Sequence, residues 1–183
     1  MKLSLFSRIA CLVVLNLLCQ GILWAEVVDL SGTMTPVKHQ GDRNTCNAFA
    51  ATALMEFLLK EQTGSDIDLS EAFTYFLGKT RALTTPYTKK AYSADDGLAG
   101  FLAVKAFEYG CMAESEWPYE SQNWFQKKDP RCTFTNGKPD LVCFIGNPPQ
   151  DAKELPYRIT PIFIEPANFG SFLLKNKKPI VYN

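Results

Sequence analysis

A single histidine, His39, stands in the 183 residues of this sequence. That scarcity argues against an imidazole-rich metal site, and no metal or other cofactor is expected. There is no excess of either charge: 19 basic residues face 19 acidic ones, with no basic stripe along the chain. A nucleic-acid partner is therefore not expected. Long apolar runs are also missing. The stretch from Ile9 to Cys19, interrupted by Asn16, is too short to span a bilayer. Neither internal repeats nor low-complexity segments occur.

What is present is the make-up of a folded protein, 46% hydrophobic and 13% aromatic. Lys2 and Arg8 ahead of the short apolar run give residues 1–25 the form of a signal peptide, with an uncleaved anchor as the alternative. Cleavage after Ala25 leaves Leu23 at the −3 position, and cleavage after Gly21 puts Cys19 there. Loss of residues 1–25 leaves 17 basic against 19 acidic side chains and four cysteines: Cys46, Cys111, Cys132 and Cys143. The expected location is secreted or periplasmic, with no stable membrane association after cleavage, and export permits disulfides.

The pattern predicts helices first and strands last, an α+β order. The strongest helix begins near Cys46, with rows Phe49-Ala53-Phe57 and Ala50-Leu54-Leu58 at i, i+4 spacing. Asn44 or Thr45 can cap its start, and Gly64 stands past its end. Ser70 opens a second helix with Glu71 in its first turn. Lys79 to Asp96 reads as a loop, and a third helix is expected from about Gly97 to Gly110, with Leu98, Phe101, Leu102, Lys105 and Tyr109 on one face. Proline-rich punctuation over 111–150 predicts ordered loops. Beyond that, Tyr157–Ile164 alternates like a strand, Pro166–Lys175 suits a helix, and Pro179–Tyr182 begins another strand.

Chemistry concentrates at Pro36-Val37-Lys38-His39-Gln40-Gly41-Asp42-Arg43-Asn44-Thr45-Cys46-Asn47-Ala48-Phe49. A cysteine in the first turn of a helix meets free N–H groups and the positive dipole end, which favour a thiolate. Gln40, six residues earlier, carries an amide that can donate across the turn beside the Cys46 backbone N–H, one way to form an oxyanion hole. A lone cysteine in that position is more often buried or paired than catalytic. The wider pattern shifts that balance.

This stretch resembles the papain-like cysteine peptidases, whose signature runs Pro-Val-Lys-x-Gln-Gly-x-Cys-Gly-Ser-Cys-Trp-Ala-Phe. Pro36, Val37, Lys38, Gln40, Gly41, Cys46, Ala48 and Phe49 match in register. Val28-Asp29-Leu30, Leu69-Ser70-Glu71, and Tyr109-Gly110 followed by Trp117-Pro118-Tyr119-Glu120 extend the likeness in the same order. The resemblance implies a helical left domain and the start of a strand-rich right domain. It divides the chain into signal peptide 1–25, helical domain 26–150 and incomplete β-rich domain 151–183. It makes Cys46 the nucleophile, Gln40 the oxyanion donor and Gly97 the contact for substrate backbone, and it implies a peptide or protein substrate. Read without the resemblance, Gly97 is equally a plain helix-start glycine.

Three departures stand out. Arg43 occupies the place of a disulfide cysteine, Asn44-Thr45 replaces Gly-Ser, and Asn47 replaces the tryptophan after the nucleophile. A side chain at Asn44 could narrow the cleft. The family's histidine and asparagine lie about 130–150 residues beyond the nucleophile, near or past Asn183. His39 adjoins Gln40 in an extended segment, so it faces the opposite way, as a surface residue. The sequence therefore reads as an N-terminal fragment, inactive alone. The alternative is a secreted, non-catalytic papain-like module that binds peptides or proteins. Among Cys111, Cys132 and Cys143, one disulfide and one spare thiol are expected, in any of three pairings.

Overall fold

The computed structural model describes residues 26–85 and 97–181. The expected signal peptide, most of the expected 79–96 loop and the last two residues lie outside them. Helix α1, Cys46–Thr63, is 18 residues long and ends at Gly64 in the left-handed conformation, where the Gly64 N–H donates to Lys60 O. Its start differs from expectation in one respect. Thr45 holds the N-cap position, but its hydroxyl does not cap the helix. It is engaged elsewhere, as described below.

Helix α2, Glu71–Thr80, opens as expected, with Ser70 Oγ accepting from Phe73 N–H at 3.0 Å. The same hydroxyl donates to Trp117 O at 2.6 Å, so the cap also fastens the Trp-Pro-Tyr segment to the helix. The helix continues through Lys79, which the sequence had assigned to a loop; Lys79 is buried and lies over the Tyr75 ring.

The third helix is shorter than expected. Gly97 has φ +95° and Ala99 is extended, so α3 spans only Gly100–Lys105 before a 3₁₀ turn, Ala106–Glu108. Leu98, Leu102, Ala103, Ala106 and Phe107 are buried, whereas Phe101 and Tyr109 of the expected face are exposed. The tighter turn after Lys105 rotates the later residues away from a regular 3.6-residue stripe.

The three helices pack together around Ala48, Ala51, Met55, Leu59, Leu69, Tyr75, Leu102 and Phe107. Each fully buried leucine, methionine or phenylalanine contributes about 1.5–3 kcal/mol relative to exposure. The buried stripe of α1 is thus Ala48-Ala51-Met55-Leu59, not the two expected rows. Of those rows only Phe57 is buried; Ala50 is exposed and the others are intermediate. Leu54 and Leu58 instead line an apolar groove of about 820 Å³, together with Phe101 of α3 and the later Phe169 and Phe172. A helix apolar on most sides offers several stripes of the same period, and packing chooses among them.

Among the described residues, two small antiparallel pairs complete the α+β architecture. Strand β1, Cys111–Met112, pairs with β4, Glu154–Leu155, in the register Cys111 to Leu155 and Met112 to Glu154. Strands β2, Phe134–Thr135, and β3, Lys138–Pro139, form a hairpin whose turn residues Asn136 and Gly137 both have positive φ. Asn-Gly is the favoured pair for such a turn. This hairpin and the short helix α4, Val142–Ile145, stand where ordered loops were expected.

The Cys132–Cys143 disulfide ties the hairpin region to α4, and Cys111 is the spare thiol, buried and pushed up to about 11 mainly by that burial. Tyr157–Ile164 carries no ladder; Ile159 N–H donates to Phe107 O at 3.2 Å, and the segment is otherwise irregular. Residues 179–181 are likewise not a strand, while α5, Phe169–Asn176, and its preceding 3₁₀ turn form near the expected helix. An alternating sequence becomes a strand only where a partner backbone lies alongside. Among the described residues, no helix is long and apolar enough to cross a membrane.

Candidate active site

Cys46 is the first residue of α1, exposed and free of any disulfide. The preceding turn holds it there. Gly41 has φ +67°, and a methyl group on it would meet Ser121 Cβ at 2.5 Å, so the close approach of 41 to 121 requires glycine. Gln40 Nε2 donates to Arg43 O at 2.8 Å. One N–H of the amide is thereby used within the turn, and the amide has a second to offer. His39 is exposed, and its Nδ1 accepts from Gly41 N–H at 3.0 Å.

Gly97 lies beside this turn. A methyl group on it would stand 3.5 Å from Asn44 O and 3.9 Å from Asn44 Cβ. Asn47 Nδ2 donates to Leu98 O at 2.7 Å, bridging α1 to the segment that starts at Gly97. The fold therefore brings the expected substrate-contact glycine to the mouth of the helix that bears Cys46. Two of the departures noted above thus meet this segment, Asn44 at Gly97 and Asn47 at Leu98.

Other contacts at the site carried little signal in the sequence. Tyr119 Oη donates to Gln40 O at 2.8 Å and shares a 2.7 Å hydrogen bond with Thr45 Oγ1. Its ring meets Phe49 edge-on, with centroids 4.8 Å apart. The Trp-Pro-Tyr-Glu run marked this tyrosine only as part of a motif. That its hydroxyl returns to the turn before Cys46 depends on chain folding across more than 70 residues.

Lys38 centres a charge cluster that is buried at Glu56 and Glu71 and open to solvent at Asp68. Lys38 Nζ stands 3.1 Å from Glu56 Oε1, 2.5 Å from Asp68 Oδ1 and 2.8 Å from Glu71 Oε1, and it donates to Leu69 O at 3.0 Å. Glu56 also accepts from Leu69 N–H at 2.8 Å and from the Thr35 hydroxyl. Burial alone would push the Lys38 ammonium down. The hydrogen bonds to Asp68 and Glu71, with the charges of Glu71 and Glu56, outweigh it and hold the group above the ordinary lysine range. Burial raises Glu71 to about 7 against the pull of Lys38. Glu114, which accepts from Tyr119 N–H at 2.7 Å, is also raised, first by burial.

No family model matches the chain. Among curated proteins it is 33% identical over 93 residues to the senescence-specific cysteine protease SAG39 of rice, Oryza sativa, covering 48% of this chain and 24% of that protein. It is 31% identical over 129 residues to cysteine proteinase 15A of pea, Pisum sativum, covering 68% of this chain and 31% of that one. It is 30% identical over 118 residues to procathepsin L of the cat, Felis catus, covering 62% and 31%. The chain thus spans about a quarter to a third of the length of these relatives. Among solved structures it is similar to a clostridial cysteine protease, Cwp84, at 21% identity and a TM-score of 0.43, covering 58% of this chain and 25% of that one. With its motifs in family order, this α+β chain resembles, over part of its length and at low identity, the papain-like cysteine peptidases.

Proposed function

We propose that Cys46 is the nucleophile of a papain-like cysteine peptidase and that this chain carries the nucleophile side of its site. The observation that carries the reading is an exposed, unbridged thiol at the first position of an 18-residue helix, with Gly97 against the same turn. An imidazole takes the Cys46 thiol proton and becomes imidazolium, the thiolate attacks the peptide carbonyl carbon, and the new C–S bond sends the carbonyl electron pair to oxygen. The second N–H of Gln40 and the Cys46 backbone N–H donate to that oxyanion. The C–N bond then breaks, the leaving amine takes a proton from an imidazolium, and water hydrolyses the thioester. The substrate backbone passes along Gly97, which offers no Cβ to obstruct it.

The imidazole cannot be assigned to His39, whose Nδ1 already accepts from Gly41 N–H. The mechanism requires another, from a longer form of the protein or from a partner. On this reading residues 1–25 direct export to a secreted or periplasmic location, 26–150 form the nucleophile domain, and 151–183 begin a β-rich domain.

Replacement of Cys46 by alanine in the natural full-length protein is expected to abolish peptide cleavage. Gln40→Ala is expected to lower kcat by about 10²-fold, the usual loss for one oxyanion donor. Cleavage retained by Cys46→Ala would remove the assignment. A second reading, a non-catalytic peptide-binding module, is favoured by the engagement of the sole histidine. It expects peptide binding that Cys46→Ala leaves intact, with no cleavage by any form.

A further inference from the structure

Arg43 stands where the resemblance places a disulfide cysteine, yet the turn around it is held. The side chain is buried, only 5% exposed. Its Nη1 donates to Glu120 O at 3.1 Å and its Nη2 to Phe144 O at 2.6 Å, so one planar group fastens two separate segments to the turn. The guanidinium also lies over two rings, 5.4 Å from the Tyr75 centroid and 5.2 Å from that of Tyr119. Tyr119 in turn reaches Gln40 O and Thr45 Oγ1, on either side of Arg43 in sequence. The Phe144 carbonyl follows Cys143, whose bridge to Cys132 anchors that end.

We propose that Arg43 and Tyr119 form a non-covalent staple that positions the Gln40–Cys46 turn, doing by hydrogen bonding and stacking what a local disulfide would otherwise do. This assignment of a positioning role rests on Cys46 being the nucleophile. The geometry suits the task. Arg43 ties the middle of the turn to residues 120 and 144, while the Tyr119 hydroxyl ties its first residue and the residue just before Cys46. Thr45 completes the arrangement, its hydroxyl bonded to Tyr119 and making no cap hydrogen bond to α1. Tyr119 itself is held from its own backbone by Glu114 and from its ring by Phe49.

The test uses the whole chain and two readouts. Amide hydrogen exchange of the peptide covering residues 40–46 reports the turn directly. The rate of Cys46 alkylation by iodoacetamide, compared with the urea-unfolded chain, reports the thiol. Tyr119→Phe keeps the ring and removes only the hydroxyl; Arg43→Lys keeps the charge and removes the fork. Each is expected to raise exchange over 40–46 about tenfold, the effect of losing one net hydrogen bond, without raising it in α2. Each is also expected to bring Cys46 alkylation toward the unfolded rate.

Unchanged exchange in Tyr119→Phe, which leaves the ring packing in place, would overturn the staple. Faster exchange with alkylation still at the wild-type rate would overturn its positioning role. If wild-type Cys46 reacts no faster than in the unfolded chain, the positioning role fails while the nucleophile reading rests on the Cys46→Ala cleavage test, and the exchange result alone decides whether the staple exists.

Discussion

Lys38 Nζ lies 3.1 Å from Glu56 Oε1, a carboxylate on the third turn of α1, so an ion pair with a buried acid joins the segment ahead of Cys46 to the helix that bears it. The lysine belongs to the Pro-Val-Lys stretch, and its partners come from α1, from the 64–70 connection and from α2. One ammonium thus organises three parts of the chain. Its exposed fraction is 26%, whereas the side chains of Glu56 and Glu71 are 2% and 3% exposed, so the acids depend on it more than it depends on them.

Lys38→Met is therefore expected to destabilise the fold by roughly 3 kcal/mol, because removing one member of a buried pair strands the charge of the other. Urea unfolding of both proteins at pH 7 measures the difference. A loss below about 1 kcal/mol, the value typical of surface pairs, would mean that water reaches Glu56 and Glu71.

Glu71 makes stability depend on pH. Its carboxyl is raised from 4.5 in the reference state to about 7 in the fold, chiefly by burial, with Glu114 adding to the repulsion and Lys38 opposing both. The folded state holds that proton more tightly than the unfolded chain. Its contribution is fully present below about pH 4.5 and is lost as the pH rises through 7. Glu71→Gln lacks this dependence while Lys38 still has Glu56 and Asp68. Relative to wild type, the variant should gain melting temperature between pH 5 and pH 8, by a few degrees. Parallel melting curves across that range would exclude Glu71 as the titrating group.

Gly97 combines a positive φ with a place beside Asn44. Gly97→Ala is expected to cost about 1–3 kcal/mol through backbone strain. If the glycine also receives substrate backbone, KM for peptide cleavage by the full-length protein should rise more than kcat falls. A stability loss with KM unchanged would mark Gly97 as a turn residue alone.

Much of the helical part was legible in the chain. Ser70 caps α2 and Gly64 ends α1 through local hydrogen bonding and local backbone conformation, which short sequence windows encode. The Asn136-Gly137 turn was equally legible, and the expectation of loops over 111–150 passed over it. The burial of α1 was not. Its residues are apolar around most of the circumference, so the choice of Ala48-Ala51-Met55-Leu59 over the neighbouring rows belongs to α2 and α3. Tyr157–Ile164 had the alternation of a strand but, among the described residues, no partner strand lies beside it.

By itself the sequence determined a cysteine at the head of a strong helix, the glutamine six residues before it, and the run of motifs that resembles the papain-like peptidases. These are matters of residue identity and spacing, available before any folding. Only the tertiary structure decided that Cys132 pairs with Cys143, that Gly97 meets Asn44, and that Arg43 and Tyr119 close on the turn from residues far along the chain. Such contacts depend on how helices and loops pack in space, and a linear pattern carries no distance between segments that many residues separate.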